Sequence, residues 1–102
     1  MLSTIEDIDI DDIKRENTRA GYHFFSPETM AFFRSRVLPT VHTNGARVLF
    51  VTSEQSWDSA RLYTVREFHP DTCNVTTWGG YPTNRYDTAK AAHAAARRFL
   101  DE

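Results

Sequence analysis

Acid–base, nucleophilic and metal chemistry draw on a few side-chain types, and this chain supplies them thinly. Its 102 residues include four histidines, one cysteine and fourteen carboxylates. His23, His42, His69 and His93 are scattered, and none shares a helical turn with a second ligand in the spacing a metal needs. His93 comes nearest, but the positions around it on a helix are Ala89, Lys90, Ala96 and Arg97. His23 stands in the aromatic run Tyr22-His23-Phe24-Phe25 and reads as a packed or capping histidine. Cys73 has no neighbouring cation or helix start to hold a thiolate, so it reads as a small strand residue. Asp11 and Asp12 are adjacent on a helix and diverge by about 100°, so they do not face one substrate together. Gly79-Gly80 lacks the spaced glycines and following Lys-Ser/Thr of a phosphate loop. It reads instead as a bulge between Trp78 and Tyr81. No catalytic residue, metal ligand or cofactor site is predicted, and the expectation is a protein that is not an enzyme.

Binding chemistry is better represented. Strand alternation places Thr64, Arg66 and Phe68 on one face, and Asn74, Thr76 and Trp78 on one face of the next strand. If those faces coincide, Thr64, Arg66, Thr76 and Trp78 make a mixed aromatic and cationic patch. Such a patch stacks bases and holds phosphates, or anchors a protein partner. The competing reading makes Trp78 core, covered by the aliphatic stem of Arg66. Arg61 opens the same strand. Trp57, in the polar loop Gln55-Ser56-Trp57-Asp58-Ser59, is either pinned inward or displayed as an anchor.

These residues need elements to hold them. Asp9 can cap a first helix over residues 9–20, with Ile10 and Ile13 on one face and Gly21 as its stop. Ser26, Pro27 and Glu28 give a second helix its N-cap, first position and favourable dipole charge. Phe25 and Met30 have the spacing of a hydrophobic staple. Met30, Phe33 and Val37 then continue an apolar stripe that Pro39 halts near Leu38. Beyond Pro39 the period becomes extended. Val41-His42-Thr43 and Ala46–Ser53 flank Asn44-Gly45, a type I′ hairpin signal. Arg47–Thr52 is apolar on both faces and predicts a central, doubly covered strand. Arg61–Phe68 and Cys73–Trp78 follow as strands around the turn at His69-Pro70-Asp71-Thr72. Asp87 or Thr88 caps a last helix reaching about Leu100, with Ala89, Ala92, Ala96 and Phe99 on one stripe. The fold class is α+β: two N-terminal helices, an antiparallel meander of three to four strands, and a C-terminal alanine-rich helix. A partly ordered acidic arm over residues 1–8 precedes a single domain over 9–102.

Composition agrees with one small domain, since 40% of residues are apolar and 13% aromatic. No apolar run is long enough to span a bilayer, so no membrane association is expected. A single cysteine excludes an internal disulfide and points to a reducing, cytoplasmic setting. The net charge of −2 is unevenly spread. Residues 1–16 hold six acids against Lys14 and Arg15, while residues 17–102 hold eight acids and ten bases. Ten of the twelve bases are arginine, whose forks suit carboxylates and phosphates. The acidic lead segment argues against strong nucleic-acid binding, which depends on cationic surface.

The stretch Glu16-Asn17-Thr18-Arg19-Ala20-Gly21-Tyr22-His23-Phe24-Phe25-Ser26-Pro27-Glu28-Thr29-Met30, with Phe32-Phe33-Arg34-Ser35-Arg36, carries a family resemblance. So do Val51-Thr52-Ser53-Glu54, Arg61–Arg66, and the lead from Gly80-Tyr81 to Tyr86-Asp87-Thr88. Over about residues 14–100 the chain resembles a family of small proteins of unknown function carried by phages, prophages and plasmids. The resemblance implies an accessory role within the host cell, exerted on a host or defence-related protein or on element DNA. A second resemblance is to small DNA-binding domains in which a three-stranded antiparallel sheet precedes a helix. It would put Arg61, Arg66 and Trp78 in the major groove. The leading expectation is protein binding, and the alternative is nucleic-acid binding by the sheet face.

Overall fold

A computed structural model of the chain describes residues 8–45, 47–55, 61–77 and 85–101. Its elements run α1 (Ile10–Arg19), α2 (Pro27–Phe33), β1 (Arg36–Thr43), β2 (Val48–Glu54), β3 (Leu62–His69), β4 (Asn74–Thr77), β5 (Arg85–Tyr86) and α3 (Ala89–Phe99). This is the predicted α+β arrangement, with a helix at each end of an antiparallel meander. The strands lie in the order β1-β2-β3-β4. The two-residue β5, which the sequence does not announce, pairs with the start of β3 through Tyr63–Tyr86 and Thr64–Arg85.

The helix starts follow local chemistry. Asp9 accepts from the Asp12 amide at 2.9 Å and Asp12 accepts from the Asp9 amide at 3.0 Å, a reciprocal cap. The donated Asp9 N–H, helped by Arg15, holds the Asp12 carboxyl below its usual range. The Ser26 hydroxyl accepts from the Thr29 amide at 3.2 Å, and of the two candidate caps of α3 it is Thr88 that accepts, from Ala91 at 3.1 Å. Gly21 follows α1 with φ of 97°, a left-handed geometry that suits glycine.

The end of α2 departs from expectation. The apolar stripe predicts helix to about Leu38, but Arg34 turns left-handed at φ 52°, ψ 41°. The Ser35 amide then bonds back to the Met30 carbonyl at 2.8 Å. Val37 and Leu38 therefore belong to β1. Pro39 lies within β1, where the register shifts between Val37 and Val41. Proline is tolerated there because β1 is an edge strand among the described residues and the pairing is already irregular.

The β1–β2 connection also differs from a two-residue I′ turn. Thr43 pairs with Val48, leaving four residues between the strands. Gly45 has positive φ, and Asn44 is not among the left-handed residues. Asn44 instead turns the chain with its side chain, accepting from the Arg47 amide at 2.9 Å. The same residues fasten the end of α3. Asn44 donates to the Leu100 carbonyl at 2.7 Å, and Arg47 donates to the Phe99 carbonyl at 2.9 Å. Carbonyls that a helix leaves unpaired at its last turn are thereby satisfied, with positive charge at the negative dipole end.

As predicted, β2 is central and buried from Val48 through Ser53. Its alternation divides the interior in two. Leu49 and Val51 join Val65 beneath Ala92, Ala95 and Ala96 of α3. Val48 and Phe50 join Phe68, Ile8 and Ile13 beneath α1, with Phe24, Phe25, Val37, Val41 and Val75 around them. Of the predicted acidic arm only Ile8 is among the described residues, and it is buried in this second cluster. Asn17 of α1 is fully buried and donates to the Cys73 carbonyl at 2.8 Å, tying the helix to the β3–β4 turn. Cys73 is not a strand residue: it closes that turn in the left-handed region at φ 63°.

Candidate binding surface

The register decides which predicted binding residues meet. Directly paired residues of an antiparallel ladder share a face. Arg66 pairs with Thr77 and Glu67 with Thr76, so Thr76 lies on the opposite face from Arg66 and Thr64. The predicted coincidence of Thr76 with Arg66 is therefore corrected by one residue. Trp57 and Trp78, and the Gly79-Gly80 bulge with them, lie outside the described residues.

On its own face Arg66 sits in a polar network at the end of the aromatic cluster. Its Nε donates to Thr52 at 2.9 Å and a terminal nitrogen bonds Glu54 at 3.0 Å, while the other reaches the Thr77 hydroxyl. Thr64 donates to the same Glu54 oxygen at 3.0 Å. The guanidinium also lies 5.3 Å from the Phe24 ring centre. Arg66 and Glu54 side chains are only 17% and 16% exposed, so this cation is spent inside the molecule.

His42 and His93, separated by 51 positions, are brought together between β1 and α3. Nε2 of His42 is 2.8 Å from Nδ1 of His93, with ring centres 5.0 Å apart. The nitrogens thus point at one another, as in a hydrogen bond between neutral rings. Burial lowers the pKa of both, and Arg97 lowers them further; His93 adds to the effect on His42. No linear spacing could have shown this pair. Among the described residues, no group of three or more His, Cys, Asp or Glu side chains is placed to hold a metal. His23 is exposed rather than packed. His69 bonds the Thr76 hydroxyl at 2.8 Å.

Among the described residues, an open surface lined by polar and basic side chains lies at the corner where α2 meets the sheet. Met30 and Ala31 of α2, Arg34-Ser35-Arg36 leading into β1, and Gln55 and Arg61 beside the ends of β2 and β3 line an open notch of about 440 Å³. Arg61 is held in place there. One nitrogen donates to the Ser53 hydroxyl at 2.8 Å and the Arg34 carbonyl at 3.2 Å, and the other to Gln55 at 3.4 Å. Phe32 of α2 does not line the notch and is 80% exposed. Sequence reading selected Arg61 but not its companions, because the short α2 and its left-handed end create the corner. The signal in the sequence is the Phe32-Phe33-Arg34-Ser35-Arg36 run, in which two aromatics give way at once to two arginines within three residues, a break that does not fit a continuing buried helix.

The fold and the sequence together define a small α+β domain of a known family. The chain belongs to the family of unknown function DUF7447, which matches residues 9–97. Comparison with curated proteins and with solved structures returns no match. Among the described residues, no helix is long and apolar enough to cross a membrane.

Proposed function

We propose that this chain is a non-enzymatic accessory protein of a mobile element that binds a host or defence-related protein in the host cytoplasm. The surface that engages the partner is the α2–β1 corner. The observation that carries this reading is Phe32, a large aromatic left 80% exposed on α2, the short helix whose Met30 and Ala31 help line an arginine-bearing notch. Aromatic and arginine side chains supply most of the energy at protein interfaces, where a ring loses water against a partner pocket. The alternative, nucleic-acid binding by the sheet face, draws less support. Arg66, its central cation, already serves Thr52, Thr77 and Glu54.

A photo-cross-linker placed at position 32 in host cells tests the proposal. The expected result is one dominant cross-linked protein whose purified form binds the chain directly. Phe32→Ala should then weaken binding about tenfold or more, as loss of a hot-spot aromatic does. No specific cross-link in any host, or a partner indifferent to Phe32→Ala, overturns it.

A further inference from the structure

We infer that His42 of β1 with His93 and Arg97 of α3 form a seat for a tetrahedral dianion, a phosphate group or its sulfate equivalent. The inference does not depend on the α2–β1 corner, whose notch none of these three residues lines. Both rings are half-buried, and Nε2 of His42 lies 2.8 Å from Nδ1 of His93. Arg97 follows His93 by four residues on α3, so the two share a face, and Arg97 is exposed. Lys90 stands on that face a turn earlier. Neither Lys90 nor Arg97 is ion-paired among the described residues. On β2 the residue opposite His42 is the apolar Leu49, while Arg47 is committed to Glu67 and the Phe99 carbonyl. The charges that bear on the rings are cationic: Arg97 on both, and His93 on His42. Asp87 before α3 and Asp101 after it act on neither ring.

With both rings neutral the pair is closed, because the N–H of one fills the lone pair of the other. Protonating both turns the facing nitrogens into two donors and leaves their bond without an acceptor. An oxyanion restores the balance by accepting from each ring, and the Arg97 fork adds charge-assisted donors beside it. A terminal phosphate group brings three acceptor oxygens to this three-residue donor set. The diester of a polynucleotide keeps only two free oxygens and one charge, so it fits less well. A metal ion is the wrong occupant. The nitrogens aim at one another rather than at a common point, and Arg97 repels a cation. Among the described residues no third His, Cys, Asp or Glu completes a ligand set.

Imidazole NMR of the full chain tests this by following each histidine between pH 5 and pH 8. One series is run in sodium chloride and one in sodium sulfate at equal ionic strength. Sulfate keeps its charge over this range, so a change in titration belongs to the protein. Sulfate should raise the proton affinity of His42 and His93 about tenfold and leave the exposed His23 unmoved. By reciprocity, sulfate should bind about tenfold more tightly at pH 5.5 than at pH 7.5. Arg97→Gln should weaken sulfate about fivefold, the scale of one exposed charge pair. Arg98→Gln removes the same charge from a position turned away from His93 and should leave binding unchanged. Inorganic phosphate should displace sulfate, and octathymidylate without terminal phosphates should not. The inference is overturned if His42 and His93 move no more than His23, or if Arg97→Gln and Arg98→Gln act alike. Displacement of sulfate by octathymidylate more readily than by inorganic phosphate also overturns it, in favour of a nucleic-acid backbone.

Discussion

The two faces of the sheet solve the same burial problem with opposite materials. Under α3 the helix contributes only methyl groups, from Ala92, Ala95 and Ala96, and the sheet supplies the bulk through Leu49, Val51 and Val65. Under α1 the rings dominate. Phe24 meets Phe25 edge-on at 4.8 Å and Phe50 edge-on at 6.5 Å, and Phe25 lies 6.0 Å from Phe50. Small residues let backbones approach closely, so the α3 face tolerates little added volume. Large rings fill a wider gap, so the α1 face tolerates little removed volume. Polar residues mark the margin of each face: the histidine pair beside α3, and the Arg66–Glu54 network beside the rings.

Substitutions can break this contrast in order of effect. Phe50→Ala should cost about 3–5 kcal/mol of unfolding free energy, since it deletes the fully buried centre of the aromatic cluster. Urea denaturation followed by far-ultraviolet circular dichroism measures it. Ala92→Leu should cost about 1–3 kcal/mol by the opposite mechanism, forcing a side chain between α3 and β2. If the enlargement proves harmless, the close-approach account of the alanine helix is wrong.

The histidine pair gives a pH signature to one face alone. Both groups have folded-state pKa values below the ordinary 6.5. The unfolded chain therefore binds protons more readily, and the pair's contribution is complete above pH 6.5 and falls as the pH drops below it. Two protonated rings would also lose the acceptor that their hydrogen bond needs. The urea midpoint should decline from pH 7.5 to pH 5.5. The His42→Gln, His93→Gln double variant should flatten that decline. An unchanged slope would detach the pair from stability. The smallest effect is expected at Phe32→Ala, which should stay within about 0.5 kcal/mol of the parent because the ring is outside both clusters.

Much of the scaffold was legible because its signals are local. Asp9, Ser26 and Thr88 each announce a helix by the amide their side chain can accept from. The continuous apolar run Val48–Val51 announces a strand covered twice. The end of α2 was not legible, because Arg34 adopts a conformation its side chain does not favour. Tertiary pairing of Arg36 and Val37 with β2 outweighs the helical stripe. The candidate site depended on that same misread boundary. Arg61 can be chosen from its strand, but its meeting with Arg34 and Arg36 follows from where α2 stops. The one-residue error at Thr76 has a similar origin, since strand register is set by the turn before it. Here the turn spends Cys73 in left-handed geometry rather than in the strand.

Pro39 and the slipped pairing around it have a consequence beyond the shape of one strand. An outermost strand with a straight row of free amides and carbonyls is a template on which further molecules add. Here Pro39 brings no amide hydrogen to the strand, and between Val37 and Val41 the strand advances four residues against two of its neighbour. A second chain laid along this border could not keep step with it. The same interruption that shapes the border therefore guards the protein against growing into fibrils.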